Sequence, residues 1–110
     1  PIIPQDCTHN AHMYYILFND LETRTEFINY LKYNGITSSF HYIPLHSAPA
    51  GKKYARTSGE LAVTNKISDT LVRLPMFYDL TENELNRILA TVKKFFEEEA
   101  GMLVEVLGKT

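Results

Sequence analysis

Residues 41–54 read HYIPLHSAPAGKKY. His41 and His46 stand five positions apart, with Tyr42 beside the first and Lys52 and Lys53 toward the far end. Imidazole donates, accepts and titrates near neutral pH, and lysine ammonium groups meet phosphates and other anions. A segment that leaves the end of a strand in this way is well placed to hold a ligand, because loops on a rigid scaffold are where binding groups concentrate. The plainer reading has His41 packed beside Tyr42 and both lysines solvated. Residue types and spacing leave the two readings open.

Other constellations carry less. Cys7, His9 and His12 are ligand types that zinc accepts, but C-x-H-x-x-H is not a finger spacing and the residues fall in a segment without periodicity. A nucleophilic Cys–His pair needs the two side chains in hydrogen-bond reach, and nothing in the spacing places Cys7 beside any histidine. Glu97, Glu98 and Glu99 follow one another at a helix end, so they point in different directions and read as a solvated terminus. Neither a catalytic residue nor a metal site is expected in this chain.

The bulk numbers bound the class. The chain has 110 residues, enough for one domain with a modest core. Hydrophobic residues make up 45% and charged residues 22%, and the net charge is −2. That balance argues against nucleic acid and against anionic membranes, which need a basic stripe. No apolar run approaches the roughly 20 residues of a membrane span, and no secretory signal is visible. A single cysteine excludes an internal disulfide and fits a reducing, cytoplasmic setting. The opening PIIPQDCTHNAH lacks Met, carries two prolines and shows no period. It reads as a linker over residues 1–12, left from something longer.

The elements that must position the loop can be read in turn. MYYILF (13–18) is aromatic and branched, and predicts a buried strand. In NDLETRTEFINYLKYNG, Asn19 or Asp20 caps a helix whose face carries Leu21, Phe27, Ile28 and Leu31, and Gly35 stops it. ITSSFHYI (36–43) reads as a second strand that ends where Pro44 forces extended backbone. Residues 44–60 read as a long loop, a feature that is functional or mobile when it occurs in a small domain. Val63, Ile67 and Leu71 recur at four-residue spacing and predict a short helix. VRLPMF (72–77) predicts a third strand, at an edge or cut short by Pro75. Thr81 and Glu84 form a T-x-x-E capping box, with Leu80 and Leu85 as its hydrophobic staple. Leu85, Ile88, Leu89, Val92, Phe95 and Phe96 then make one apolar helical face. MLVEVLGKT, within the tail 100–110, reads as a frayed end or as a strand that pairs with another chain. The expectation is a small α+β domain over residues 13–99, a three-stranded, mainly antiparallel sheet with about three helices packed on it. So small a sheet buries little, so a partner surface is expected.

The runs FHYIPLHSAPAGKKYARTSGE and LVRLPMFYDLTENELNRILATVKKFF resemble the C-terminal part of the DegT/DnrJ/EryC1/StrS sugar-nucleotide aminotransferases. Within that family they are similar to the dTDP-4-amino-4,6-dideoxygalactose transaminase branch of enterobacterial common antigen synthesis. The resemblance covers roughly residues 6–96, and the H-Y-x-P-L-H and R-L-P-x-F-Y-x-L-T-x-x-E segments carry it together. It implies the aspartate-aminotransferase fold type I and a pyridoxal-phosphate (PLP) enzyme. Such an enzyme moves an amino group, commonly from glutamate, onto a keto-sugar carried by a nucleotide. It implies a homodimer with active sites at the subunit interface, and a small C-terminal domain that supplies part of the substrate wall. Tyr42, Pro44 and His46 match the family's Y-x-P-x-H loop near the sugar-nucleotide site, and His41 is adjacent. The substrate-binding residues so implied are His41, Tyr42 and His46. Arg73, Leu74 and Pro75 match an R-L-P strand that reads as structural, as does the helix from Thr81.

The same resemblance sets a limit. The family's imine-forming lysine, and the acid that pairs with the pyridine nitrogen, lie in a large domain that precedes these residues. Ser39, Phe40 and His41 echo the opening of the lysine motif, but Pro44 stands where the lysine would. Lysines 32, 52, 53, 66, 93, 94 and 109 all lie outside that motif. The chain alone is therefore expected to bind no PLP and to be inactive. With apolar faces left open it is expected to form homo-oligomers, with the tail from Met102 as a strand-exchange element. The alternative is a free-standing α+β module that binds a ligand or a protein without catalysis.

Overall fold

The computed structural model describes residues 2–107, and the side chains of residues 2–99. In chain order it has strand β1 (Tyr15–Leu17), helix α1 (Leu21–Tyr33), helix α2 (Pro49–Tyr54), helix α3 (Ala62–Thr70), strand β2 (Leu71–Arg73) and helix α4 (Glu82–Leu107). The α+β class stands. The two strands pair antiparallel, with Ile16 opposite Val72.

Local chemistry explains the helix ends. Asp20 caps α1 by accepting a bond from the Thr23 N–H at 2.8 Å. That bond holds the Asp20 carboxyl below its ordinary range. At the other end Gly35 adopts φ +72°, which a side chain resists. The Gly35 N–H donates to Lys32 O at 3.0 Å and the Ile36 N–H to Leu31 O at 2.8 Å, closing a Schellman motif. Ile36 and Leu31 are both buried in the core, as the motif's apolar contact requires. The capping box before α4 is made in both directions. The Thr81 N–H donates to Glu84 Oε2 at 2.9 Å, and the Glu84 N–H donates to Thr81 Oγ1 at 3.3 Å. The bond from the Thr81 N–H, with a second from the Thr81 hydroxyl at 2.7 Å, lowers the pKa of Glu84.

The core lies where α1, the strands and α4 meet. Phe18, Phe27, Leu31, Ile36, Val72, Ile88 and Phe95 form it. Phe27 is fully buried, with ring centroids 4.8 Å from Phe18 and 5.0 Å from Phe95. Such aromatic contacts add about 0.5–1.5 kcal/mol each beyond the area they bury.

Four sequence expectations need correction. Residues 36–43 are not a strand; only Ser39 pairs, as a single bridge to Arg73. The reason lies in β2. The Phe18 N–H bonds to Thr70 O and the Leu74 N–H to Tyr14 O, so even-numbered positions face β1 and odd ones face the Ser39 side. Arg73 meets Ser39 there, at 2.7 and 3.3 Å. Two residues further along, the partner would be Pro75, which has no N–H. In the other direction it would be Leu71, whose N–H already donates to Ile67 O at the end of α3. Pairing is blocked on both sides, and β2 lies between β1 and Ser39 rather than at an edge. Second, the loop 44–60 contains α2, so the described residues hold four helices, not three. Third, MYYILF forms a strand only over Tyr15–Leu17, and none of those three residues is buried; Val63 and Ile67 do sit on α3 as predicted. Fourth, α4 continues through Leu107, so residues 102–107 are helix and not a strand; residues 108–110 of that tail lie outside the described residues.

Much apolar surface is left over. The chain exposes 9110 Å², where a compact monomer of this mass exposes about 6,200 Å². Of the α4 face, Ile88 and Phe95 are buried, whereas Leu85, Leu89 and Phe96 remain exposed.

Candidate functional site

The segment 37–48 is held by few but specific bonds. Pro44 bends it: its carbonyl accepts from the Ser47 N–H at 3.0 Å and from the Ala48 N–H at 3.1 Å. Pro49 then opens α2 at a position where its missing N–H costs nothing. Gly51 lets α2 lie against the turn, since a Cβ there would stand 1.6 Å from the Leu45 carbonyl oxygen. Ser68 Oγ of α3 donates to the Tyr42 carbonyl at 3.0 Å and ties the segment from the other side.

His41 and Tyr42 share the wall between two clefts. The first, about 370 Å³, is lined by His12, Thr37, Ser39, His41, Tyr42 and Arg73 among others. The second, about 460 Å³, is mostly apolar, with Tyr42, Ile43, Leu45, Val63 and Ile67 on its sides. The His41 and Tyr42 rings meet edge to face at 4.7 Å. The Arg73 guanidinium lies 5.8 Å from the Tyr42 ring centre, within cation–π range. Arg73 Nη2 also donates to Ser39 Oγ at 3.3 Å. Two nitrogens here, His41 Nδ1 and Arg73 Nε, are buried without an acceptor or donor partner.

His46 is elsewhere. Its Nε2 lies 2.8 Å from Asn65 Oδ1 of α3 and donates to it in the tautomer that carries the proton there. It lines a third cleft, about 350 Å³, with Leu45, Ala55, Arg56 and Leu61. The tertiary structure therefore brings His41 and Tyr42 together and separates His46 from them. It adds Arg73, which the sequence reading assigned to structure alone. The only hint in the sequence was one arginine inside the apolar run LVRLP.

Lys53 lies over its neighbour Tyr54, with Nζ 5.0 Å from the ring centre. Lys32, Lys52, Lys53, Lys66, Lys93 and Lys94 are all exposed, and none lines the clefts described above. None of them therefore stands inside a described cleft where a PLP aldehyde could form its imine. Among the described residues no three His, Cys, Asp or Glu side chains are grouped to hold a metal. His9 Nδ1 accepts from the Ala11 N–H, and His12 Nδ1 meets Asn10 Oδ1 at 2.7 Å. No described helix is long and apolar enough to cross a membrane.

Comparison with known proteins places this geometry. The profile of the DegT/DnrJ/EryC1/StrS aminotransferase family matches residues 2–93. An uncharacterised protein of Methanocaldococcus jannaschii is 29% identical over 102 residues, covering 89% of this chain and 26% of its own length. The aminotransferase TlmJ of Streptoalloteichus hindustanus superposes with a TM-score of 0.78 at 20% identity, over 91% of this chain and 26% of its own. At that identity it speaks for the fold alone. A Streptococcus pneumoniae protein assigned as a sugar aminotransferase, in its PMP form, matches with a TM-score of 0.62 at 28% identity, over 79% of this chain and 22% of its own. The chain thus spans about a quarter of the length of the relatives it matches.

Proposed function

The chain belongs to the DegT/DnrJ/EryC1/StrS aminotransferase family, whose members depend on PLP, and from that premise we infer that it is the small C-terminal part of a sugar-nucleotide transaminase. The reaction we propose for the whole protein moves an amino group from glutamate to a nucleotide-linked 4-keto-6-deoxy sugar, for cell-surface polysaccharide synthesis. The paired segments H-Y-x-P-L-H and R-L-P-x-F-Y-x-L-T-x-x-E favour the dTDP-4-amino-4,6-dideoxygalactose branch. In this reading the whole protein is a cytoplasmic homodimer.

One observation carries the proposal: a family match over residues 2–93 that includes a wall, half-buried His41 and exposed Tyr42, between two open clefts. PLP supplies the electron sink of transamination, and its lysine belongs to the remainder of the protein. This chain's own residues bind and orient. The Tyr42 ring offers an apolar face to a sugar or base, and the cleft it shares with Ile43 and Val63 adds apolar walls on that side. His46, held by Asn65, fixes the far end of the loop rather than the same wall.

The test is to incubate the chain with pyridoxal phosphate, reduce with borohydride, and map labelled lysines by mass spectrometry. The expected result is weak labelling scattered over the exposed lysines. Stoichiometric labelling of one of them, Lys52 or Lys53 for example, would mean that the chain builds its own imine site, and the inference would fail. Light scattering on the same preparation is expected to show a homo-oligomer formed through the open apolar faces.

A further inference from the structure

We propose that the cleft between the Ser39 segment and β2 is an oxyanion site, with Arg73 as its principal ligand and His41 as its second donor. The proposal rests on the reading of His41 and Tyr42 as part of a substrate wall and names the group that wall receives.

Arg73 is an unusual residue for its place. It ends a short strand whose other members, Leu71 and Val72, are buried apolar side chains. Its backbone is fixed on both sides, by Tyr15 across the ladder and by Ser39 across the bridge. A guanidinium carries five N–H donors and is always charged. Among the described residues only one bond from it to a protein acceptor is made, to Ser39 Oγ at 3.3 Å. Among the described residues no carboxylate stands within 4 Å of it; the ion pair they contain is Lys94–Glu98, on α4. No acidic residue lines the cleft.

The unmet hydrogen bonds point the same way. Arg73 Nε and His41 Nδ1 are both buried and both without partners. Buried polar groups in folded proteins almost always find partners, and an unpaired buried charge is costly. Two such nitrogens on residues lining one cleft mark a missing acceptor. An oxyanion offers two or more oxygens in one plane, the arrangement a guanidinium fork accepts. The Tyr42 ring holds both donors' planes, at 4.7 Å from the His41 ring and 5.8 Å from the guanidinium. Two sources share this chemistry: a phosphate of the nucleotide sugar and a carboxylate of the amino donor.

Titration of the isotope-labelled 110-residue chain followed by NMR tests the site, with inorganic pyrophosphate and glutarate as separate probes. A saturable shift of the Arg73 Nε–H resonance and of the His41 ring is expected with at least one probe. Preference for pyrophosphate assigns the nucleotide phosphate; preference for glutarate assigns the donor carboxylate. Arg73→Met is expected to abolish saturation, and Arg73→Lys, which keeps charge but loses the fork, to weaken binding about tenfold. Lys52→Ala combined with Lys53→Ala is expected to leave it unchanged. The proposal is overturned if neither probe saturates at Arg73 in the wild-type chain, a readout that needs no variant to fold. It is also overturned if a folded Arg73→Met variant binds as the wild type does. Failure here leaves the borohydride result standing, and a single stoichiometric label there would leave this site standing.

Discussion

Phe27, Leu31 and Val72, where α1, β2 and α4 meet, are shut off from solvent, whereas Tyr42, Ile43, Leu45 and Val63, on the segment 42–45 and α3, stand open to it. The first region is built from aromatic contacts of about 5 Å and from helix ends closed by Asp20, Gly35 and the Thr81–Glu84 box. The second is built from single bonds, Ser68 to Tyr42 and Asn65 to His46, and from one tight approach at Gly51. The difference separates scaffold from working surface. A region that satisfies itself can carry one that leaves apolar faces and unpaired nitrogens for something else to meet. In the reading proposed above, that something is the rest of a transaminase and its substrate.

The comparison breaks most readily at Phe27. Phe27→Ala is expected to cost about 3–5 kcal/mol, a large part of the roughly 5–15 kcal/mol that holds a domain together. Urea denaturation followed by circular dichroism should show most of the transition lost. A cooperative transition within about 1 kcal/mol of the wild type would mean that the core lies elsewhere. Gly51→Ala sharpens the contrast, because the new Cβ collides with the Leu45 carbonyl. Overpacking of this kind costs about 1–3 kcal/mol, but α2 buries no residue. Amide exchange over residues 44–55 should rise about tenfold, as ~1.4 kcal/mol implies, while exchange in α1 and α4 stays unchanged. If α1 and α4 loosen equally, the two regions are one cooperative unit.

The smallest effect concerns acid. Asp20 and Glu84 both have folded pKa values below their ordinary 3.8 and 4.5, because backbone N–H groups bond their carboxylates. Their contribution is fully present above those ordinary values and is lost as pH falls through the depressed folded ones. Thermal melts should therefore show a modest drop in stability below about pH 4.5, and Asp20→Asn should flatten part of it. Since Asn still caps a helix, loss of the acid slope with little loss at pH 7 is the expected pattern. An unchanged slope in that variant would remove Asp20 from the account.

Legibility followed the range of the forces involved. The capping box and the Gly35 stop are rules of neighbouring residues, and each appeared where the sequence placed it. The apolar face of α4 was equally readable, yet only Ile88 and Phe95 of it are buried, since burial depends on what lies opposite. The segment 36–43 has strand composition, and composition alone cannot reveal that the Leu71 N–H is taken by α3 and that Pro75 offers none. Of the proposed site, His41 and Tyr42 could be named from residue type and resemblance. Arg73 was not, because its meaning depends on the absence of an acid around it in space.

By itself the sequence determined the α+β class, the places of α1, α3 and α4, both ends of α1 and the start of α4, and the family, because short-range periodicity, caps and paired motifs survive without any knowledge of distant contacts. Only the tertiary structure decided which apolar residues close a core, that the sheet stops at two strands, and that His41 and Arg73 line one cleft while His46 turns to Asn65. Those outcomes depend on competition between distant groups for the same hydrogen bond or the same surface, and such competition is settled only when the chain has folded.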